Sequence, residues 1–345
     1  MIDWIANPLH DPARVAAEND PAAVLRFHRG LPGYAPTPLI DAPEIAREWG
    51  IERVLLKFEQ ERFGLPAFKF LGASWAAHRL LGEPPYDPAL TLVAATDGNH
   101  GRAVARVAKL AGVKATILVP QGTARARIDA IASEGAEVTE IDGTYDDAVR
   151  RSAAMADSTH VVLSDTSWPG YEDVPRWVIE GYATIFAEVT EPVDAAVVPI
   201  GVGALAAAAA RHYGRTPTSL AAVEPTSAAC LLESIKAGEI TEVPGPHTSI
   251  MAGLNAGLPS LVAWPDVGAG FDVFCAIDDD VAVDGMRRLA ERGIEAGEVS
   301  GGTVGATEHL ITAGAIEADS VLVLLTEGVT DPAGWARLVG ARSST

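Results

Sequence analysis

The sequence predicts an α/β protein built from parallel β-sheets flanked by helices. Short apolar runs rich in Val, Ile and Leu alternate along the chain with longer stretches of helical periodicity. Several of these runs are apolar throughout, as expected for strands that are buried on both faces. At 345 residues, the chain is long enough for about two domains.

The predicted strands are the apolar runs, and the predicted helices lie between them. Strands are predicted at residues 53–59, 91–96, 114–120, 136–141, 160–165, 195–201, 220–225 and 320–326. Helices are predicted at residues 69–81, 100–111, 124–134, 145–156, 171–189, 204–213, 228–237, 280–293 and 302–313. The block from 91 to about 165 alternates regularly. We therefore expect a small domain at 85–168 and a large domain formed by 1–84 plus 169–345.

Composition limits the kinds of partner. Acidic residues outnumber basic ones by 46 to 26, and the resulting net charge of −20 repels nucleic acid and anionic membrane surfaces. No apolar run approaches the ~20 residues of a membrane span, and the N-terminus lacks the pattern of an export signal. Cys230 and Cys275 are too few for a disulfide framework or a zinc site. We expect a soluble cytoplasmic enzyme that has no metal site.

Lysine is scarce in this chain, with 5 lysines against 21 arginines. An arginine stays protonated, whereas a lysine amine can lose its proton, act as a base and form an imine. Lys69 follows a turn that contains Gly64 and Pro66, at the predicted start of a helix. The helix dipole disfavours an ammonium group there and lowers its pKa. Lys69 is therefore a candidate nucleophile, and the alternative is an ordinary surface lysine. Three other lysines are predicted at the surface: Lys109, Lys114 and Lys236.

A polar loop separates the predicted strand at 91–96 from the next helix. It contains Thr96, Asp97, Gly98 and Asn99, and His100 follows at the helix start. Ligands gather at the carboxyl ends of parallel strands, and free amides at a helix N-terminus can bind a carboxylate. The loop is therefore a candidate binding site. The alternatives are that Asp97 caps the helix and that His100 is structural.

A glycine-containing turn follows the apolar strand at 195–201. It comprises Gly201, Val202, Gly203, Ala204 and Leu205, and an alanine-rich helix comes next. Glycines let the backbone close around a phosphate that the helix amides then hold. The pattern lacks the third glycine of a dinucleotide site, so a single phosphate fits better. The alternative is a tight turn that binds nothing.

Two further strand ends carry polar residues. Thr326 ends the last predicted strand, and Asp165 ends the strand at 160–165. Both belong to the sheet edge where ligands gather. By themselves these residues are also consistent with a turn and with a helix N-cap.

These pieces, in this order, resemble the fold-type-II pyridoxal-phosphate enzymes, relatives of threonine and serine dehydratases. Within that group, the chain is most similar to the diaminopropionate ammonia-lyase family. The similarity is carried by residues 62–74, 96–105, 165–171, 201–205, 223–225, 251–257 and 326–332. It implies a tryptophan-synthase-β-like fold of two lobes, each an open, mostly parallel sheet flanked by helices. It also implies a homodimer and a large domain that binds the cofactor.

The resemblance assigns cofactor roles to individual residues. It implies that Lys69, next to Phe68, binds the cofactor aldehyde covalently and that Asn99 hydrogen-bonds the phenolic oxygen. It places the phosphate on the glycine turn at 201–205 and the pyridine nitrogen at Thr326. A neutral hydroxyl does not keep that nitrogen protonated, which suits β-elimination.

The resemblance also assigns substrate roles. The substrate carboxylate would bind Thr96, Gly98 and His100, and its extra amine would bind Asp165. Lys69 and Asp97 would act on opposite faces, so that both D and L isomers react.

The function implied is β-elimination of 2,3-diaminopropionate to pyruvate and ammonia. One alternative is a dehydratase or β-replacement enzyme that acts on serine, threonine or 3-hydroxyaspartate. Another alternative is a non-catalytic small-molecule-binding protein. The sequence leaves open whether Cys230 and Cys275 approach each other.

Overall fold

The computed structural model describes residues 2–96 and 98–340. Two β-sheets organise the described chain, one of seven strands and one of four. The strands are β1 (Ile2–Ala6), β2 (Leu39–Asp41), β3 (Arg53–Phe58), β4 (Thr91–Ala95), β5 (Lys114–Pro120), β6 (Glu137–Ile141), β7 (His160–Val162), β8 (Ala195–Pro199), β9 (Ser219–Pro225), β10 (Val273–Ile277) and β11 (Ser320–Leu325).

Helices cover the faces of both sheets. They are α1 (Pro21–Gly30), α2 (Pro43–Trp49), α3 (Lys69–Leu81), α4 (Asn99–Ala111), α5 (Arg125–Ser133), α6 (Tyr145–Ala154), α7 (Asp173–Ala187), α8 (Ala204–Tyr213), α9 (Cys230–Ala237), α10 (Trp264–Gly270), α11 (Asp279–Glu291), α12 (Glu298–Thr312) and α13 (Pro332–Gly340). Within the described residues, no helix is long and apolar enough to cross a membrane.

The smaller sheet is entirely parallel, in the order β6-β5-β4-β7. All four strands come from the predicted regular block, and α4, α5 and α6 are the crossovers between them. Continuous burial of β4 agrees with the expectation for a strand covered on both faces. The division at residues 85–168 itself stays a prediction.

The larger sheet has the order β1-β10-β9-β8-β11-β3-β2. Its five inner strands run parallel, and the two edge strands β1 and β2 are antiparallel to their neighbours. The largest core cluster contains residues from both sheets and from the helices between them, including Leu71 of α3, Val104 of α4 and Ile179 of α7. The α/β architecture predicted from the sequence is therefore confirmed.

Several elements were not predicted: β1, β2, β10, α1, α2, α10 and α13. A run of three to five apolar residues does not separate a strand from a loop by periodicity. The strand β1 exists because its backbone pairs with β10, from Ile2 opposite Ile277 to Ala6 opposite Val273. That pairing joins segments that are far apart in the sequence, so no local pattern predicts it.

The predicted helix at 302–313 was wrong at its start, because α12 begins at Glu298. Gly301 and Gly302 suggest a break, since glycine disfavours a helix interior. In the structure, α11 packs directly on α12, and a Cβ added at Gly301 would stand 2.5 Å from the carbonyl oxygen of Ala282 in α11. A Cβ added at Gly302 would stand 2.5 Å from the sulfur of Met251. Close helix packing therefore requires these glycines and overrides their helix propensity.

Candidate active site

A cleft opens at the carboxyl ends of strands from both sheets. It encloses about 800 Å³, counted with its open mouth. Thr96 follows β4, Asp165 follows β7, Gly201 follows β8 and Thr326 follows β11. The carboxyl ends of parallel strands lie at the same edge of a sheet. Residues from distant parts of the chain therefore meet here.

Most residues of the predicted site line this cleft. They are Phe68, Lys69, Thr96, Asn99, His100, Asp165, Gly201, Val202, Gly203, Ala204, Leu205 and Thr326. Gly98 is buried behind the cleft surface, where its backbone N–H donates to the hydroxyl oxygen of Thr96 at 2.9 Å. Asp97 lies outside the described residues.

Lys69 is the first residue of α3, and its side chain enters the cleft. Its ammonium nitrogen donates to the carboxylate of Asp165 at 2.7 Å. The same nitrogen lies 5.3 Å from the ring centre of Phe68 and 6.0 Å from that of Tyr182. The expected helix-start position is therefore confirmed, and the surface-lysine alternative was wrong. By contrast, Lys109, Lys114 and Lys236 are exposed as predicted.

Asp165 is a buried carboxylate that stays ionised. Burial would raise its pKa, but the charge of Lys69 and the hydrogen bonds from Lys69 and Tyr145 outweigh burial. The net effect holds the pKa of Asp165 below its ordinary value. The Tyr145 hydroxyl donates to the second carboxylate oxygen at 3.3 Å. The cleft therefore presents a fixed negative charge beside an amine.

His100 is buried beneath the polar loop. Its Nε2 lies 2.9 Å from the carbonyl oxygen of Leu163, and its Nδ1 lies 3.8 Å from Asp165. Burial lowers the pKa of His100 more than the Asp165 charge raises it, so the ring is neutral. A carbonyl oxygen only accepts, which places the single ring proton on Nε2. This contact matches the structural alternative, and substrate binding by His100 stays a prediction.

Asn99 begins α4 and faces a carboxylate that the sequence prediction left out of the site. Its side-chain nitrogen donates to Glu327 at 2.6 Å. Glu327 follows Thr326 directly and lines the cleft with it. Burial and the nearby Glu298 raise the pKa of Glu327 to about 7, against the opposing charge of Arg127.

The glycine turn forms the opposite wall of the cleft. Gly203 precedes α8 with φ of +101°, a conformation that favours glycine. In the described chain, no side chain caps this helix start. Its first amides, at Ala204 and Leu205, therefore face the cleft as an anion site.

These features fit pyridoxal phosphate. A lysine amine stands in the cleft, an uncapped helix start can hold the phosphate, and a neutral hydroxyl lies at Thr326. A Cβ at Gly201 would stand 3.2 Å from the carbonyl oxygen of Gly253, so a side chain there would crowd this wall. Residues 2–96 and 98–340 hold no group of three or more His, Cys, Asp or Glu placed to bind a metal.

Three polar cleft residues were missed from the sequence: Tyr145, Asn255 and Glu327. Tyr145 is the first residue of α6, which a Thr144–Asp147 capping box begins, so its position looked like ordinary helix start. Glu327 stands beside Thr326 in the same strand-end segment. Strand-end position was therefore the available signal for Glu327, and nothing local marked Tyr145.

The remaining motifs serve the fold. Glu224 accepts the backbone N–H groups of Leu231 and Leu232 at 2.8 Å each and so caps α9. Cys230 and Cys275 are buried and form no disulfide. The Cys230 sulfur lies 3.8 Å from the carbonyl oxygen of Gly201, and Cys275 lies in β10.

Together, the fold and the cleft define an α/β enzyme whose cofactor site contains a lysine amine. The family model described as pyridoxal-phosphate dependent enzyme matches residues 31–327. Diaminopropionate ammonia-lyase of Escherichia coli (strain K12) is 35% identical, over 91% of this chain and 89% of that protein.

Solved structures agree with this match. A crystal structure of diaminopropionate ammonia lyase from Escherichia coli, in complex with an aminoacrylate–PLP azomethine reaction intermediate, has a TM-score of 0.90 and 31% identity. The match covers 98% of this chain and 97% of that chain. Threonine deaminase isoform 2 from Solanum lycopersicum, with a TM-score of 0.79 and 18% identity over 98% and 92%, shares the fold.

The chain belongs to the pyridoxal-phosphate-dependent enzymes and, among them, to the diaminopropionate ammonia-lyase family. The predicted fold type, the enzymatic nature of the protein and its cofactor are thereby confirmed. The roles given to individual residues stay predictions.

Proposed function

We propose that this protein is an ammonia-lyase that converts 2,3-diaminopropionate and water to pyruvate and two molecules of ammonia. The carrying observation is the buried, ionised carboxylate of Asp165, 2.7 Å from the Lys69 amine in the cleft. A diamino acid carries one more cation than serine, and Asp165 offers the matching charge. The similarity to named diaminopropionate ammonia-lyases supports the same substrate.

Pyridoxal phosphate, when bound, supplies the electron sink that eases loss of the α-proton. In our proposal Lys69 holds its aldehyde end, and Phe68 packs beside it. Asn99 donates to the phenolic oxygen, and Thr326 faces the pyridine nitrogen. The phosphate is held by the amides of the turn at 201–205.

The substrate is positioned by charge. Its carboxylate binds the loop of Thr96, Gly98 and His100, where the first amides of α4 favour an anion. Its β-amine binds Asp165, which keeps the amine in the ammonium form until the carbon–nitrogen bond breaks. The same carboxylate disfavours serine, because a neutral hydroxyl gains nothing from it.

Proton removal is assigned to two groups. The Lys69 amine takes the α-proton of one enantiomer, and the Asp97 carboxylate takes that of the other. The use of both D and L substrates follows from bases on opposite faces. Asp97→Asn is then expected to impair one enantiomer selectively, and an equal loss with both would contradict this role.

The proposed reaction has a distinctive stoichiometry. The experiment measures pyruvate and ammonia released from D- and L-diaminopropionate, serine, threonine and 3-hydroxyaspartate by the loaded protein. Diaminopropionate is expected to give two molecules of ammonia per pyruvate and the highest kcat/KM. A higher kcat/KM with serine or threonine would instead make the protein a dehydratase. Binding without turnover of any substrate would favour a non-catalytic binding protein.

We further propose that the protein acts in the cytoplasm as a homodimer. The acidic composition and the family resemblance support this proposal. Sedimentation at micromolar concentration tests the oligomeric state, and a monomer that is fully active would contradict it.

A further inference from the structure

A hydrogen bond inside the cleft links a residue that follows the four-stranded sheet to one that follows the seven-stranded sheet. The side-chain nitrogen of Asn99, at the start of α4, donates to Glu327 Oε2 at 2.6 Å. Asn99 follows a strand of the four-stranded sheet, and Glu327 follows β11 of the seven-stranded sheet. The two residues are 228 positions apart in the chain.

Backbone contacts and burial fix the position of Glu327. Its carbonyl oxygen accepts from the hydroxyl of Ser300 at 2.8 Å and from the backbone N–H of Gly297 at 3.1 Å. Its backbone also bridges to Ala67, two residues before Lys69. The side chain is 5% exposed, so Glu327 has little freedom to follow a change in Asn99.

Both carboxylate oxygens of Glu327 accept N–H groups. Oε2 accepts from Asn99, and Oε1 accepts from the backbone N–H of Val299 at 3.3 Å, in the first turn of α12. An ionised carboxylate only accepts. Glu327 therefore selects the orientation of the Asn99 carboxamide in which the NH₂ group, and not the oxygen, faces Glu327.

We propose that Glu327 is a positioning residue that sets the Asn99 carboxamide so that its second N–H stays available to the bound cofactor. The inference rests on the proposed function, because it takes Asn99 as the donor to the phenolic oxygen. With the amide reversed, Asn99 would present its oxygen to another oxygen and lose that contact.

Neighbouring charged groups shift the pKa of Glu327. Glu298 of α12 and Arg127 of α5 are the charged groups that act on it, with opposite signs. Arg127 pairs with Glu298 at 3.7 Å. Raising the pH to 8.5 ionises Glu327, whose pKa lies at about 7, so experiments at that pH compare one charge state.

A double-mutant cycle tests the proposal on the full chain at pH 8.5, with the dissociation constant for pyridoxal phosphate and the absorption maximum of the loaded protein as readouts. Glu327→Gln is expected to weaken binding roughly 3- to 10-fold, the contribution of one hydrogen bond. In the Asn99→Ala background, the same substitution is expected to change the constant less than about 2-fold, because Glu327 acts through Asn99.

Glu298→Gln is the matched control, since it removes a neighbouring buried carboxylate that contacts Arg127 and not Asn99. It is expected to leave the constant and the absorption maximum unchanged. If Glu327→Gln fails to fold, Glu327→Asp replaces it, because its shorter side chain keeps the charge but moves the acceptor out of reach of Asn99. The same 3- to 10-fold weakening is then expected, and unchanged binding would overturn the proposal.

Two results would overturn the proposal: a Glu327→Gln protein that binds and absorbs like the wild type, and losses that multiply in the double variant. Neither would affect the proposed function, which fails if the wild-type protein binds no pyridoxal phosphate, leaves diaminopropionate intact, or has a higher kcat/KM with serine or threonine.

Discussion

The Lys69 ammonium lies 2.7 Å from the Asp165 carboxylate, although the two residues are 96 positions apart. Lys69 begins α3, which packs against α7, and Asp165 follows β7 of the four-stranded sheet. The pair places a reactive amine and its counter-ion in one cleft. Two predictions follow from its two members.

Lys69→Ala is expected to abolish covalent attachment of pyridoxal phosphate, since no other described lysine lines the cleft. Borohydride reduction followed by peptide mass spectrometry checks this, because the cofactor mass should appear only on the wild-type peptide that contains residue 69. Lys109→Ala, at an exposed lysine of α4, is the control and should retain attachment. Attachment that survives Lys69→Ala would refute the assignment.

Asp165→Asn is expected to lower kcat/KM for diaminopropionate roughly 10- to 100-fold more than for serine. The reason is that a hydrogen bond to a charged group contributes about 1.5–3 kcal/mol, and serine has no second ammonium. Steady-state kinetics with both substrates measure the difference. The exposed Asp157→Asn is a control in which both values should stay unchanged. Equal losses of kcat/KM with both substrates would show that Asp165 does not recognise the second ammonium group of diaminopropionate.

Gly203→Ala is expected to weaken binding of pyridoxal phosphate and to destabilise the fold. A residue with a side chain at φ of +101° costs about 1–2 kcal/mol, and the new Cβ would stand 3.2 Å from that of Ala263. Gly238→Ala isolates the backbone strain, because Gly238 has φ of +78° with nothing within 4 Å of the added Cβ. Both variants should melt earlier, and only Gly203→Ala should bind the cofactor more weakly. Similar affinities in the two variants would remove the turn from the phosphate site.

Stability is expected to fall as the pH rises from about 5 towards 8, in part because of Glu224. Burial raises the pKa of Glu224 to about 8, above its ordinary value of 4.5, despite the hydrogen bonds from Leu231 and Leu232. The folded state therefore favours the protonated form, and its stability is lost as Glu224 ionises. Chemical denaturation of the wild type and Glu224→Gln across this range should show a shallower decline in the variant. Glu239→Gln, at an exposed position, is the control, and its free energy of unfolding should change with pH as that of the wild type does. If this free energy falls equally steeply with pH in all three proteins, Glu224 does not titrate in this range.

The sequence by itself determined the local pieces. The apolar runs defined the inner strands, since burial on both faces leaves a continuous signal. Lys69 was recognisable because the chain has few lysines and this one lies at a predicted helix start. The glycine turn at 201–203 was recognisable as a strand-to-helix junction. Their order along the chain carried the family resemblance. Most residues of the predicted site accordingly line the cleft.

Only the tertiary structure decided which strand ends meet and at what distance. The pairing of Asn99 with Glu327 spans 228 positions, and the edge strand β1 forms only against β10. The ionisation of Asp165 and the raised pKa of Glu327 depend on burial and on neighbours brought by other elements. Local patterns report backbone preferences and exposure, whereas long-range contacts and the electrostatic environment exist only once the chain has packed.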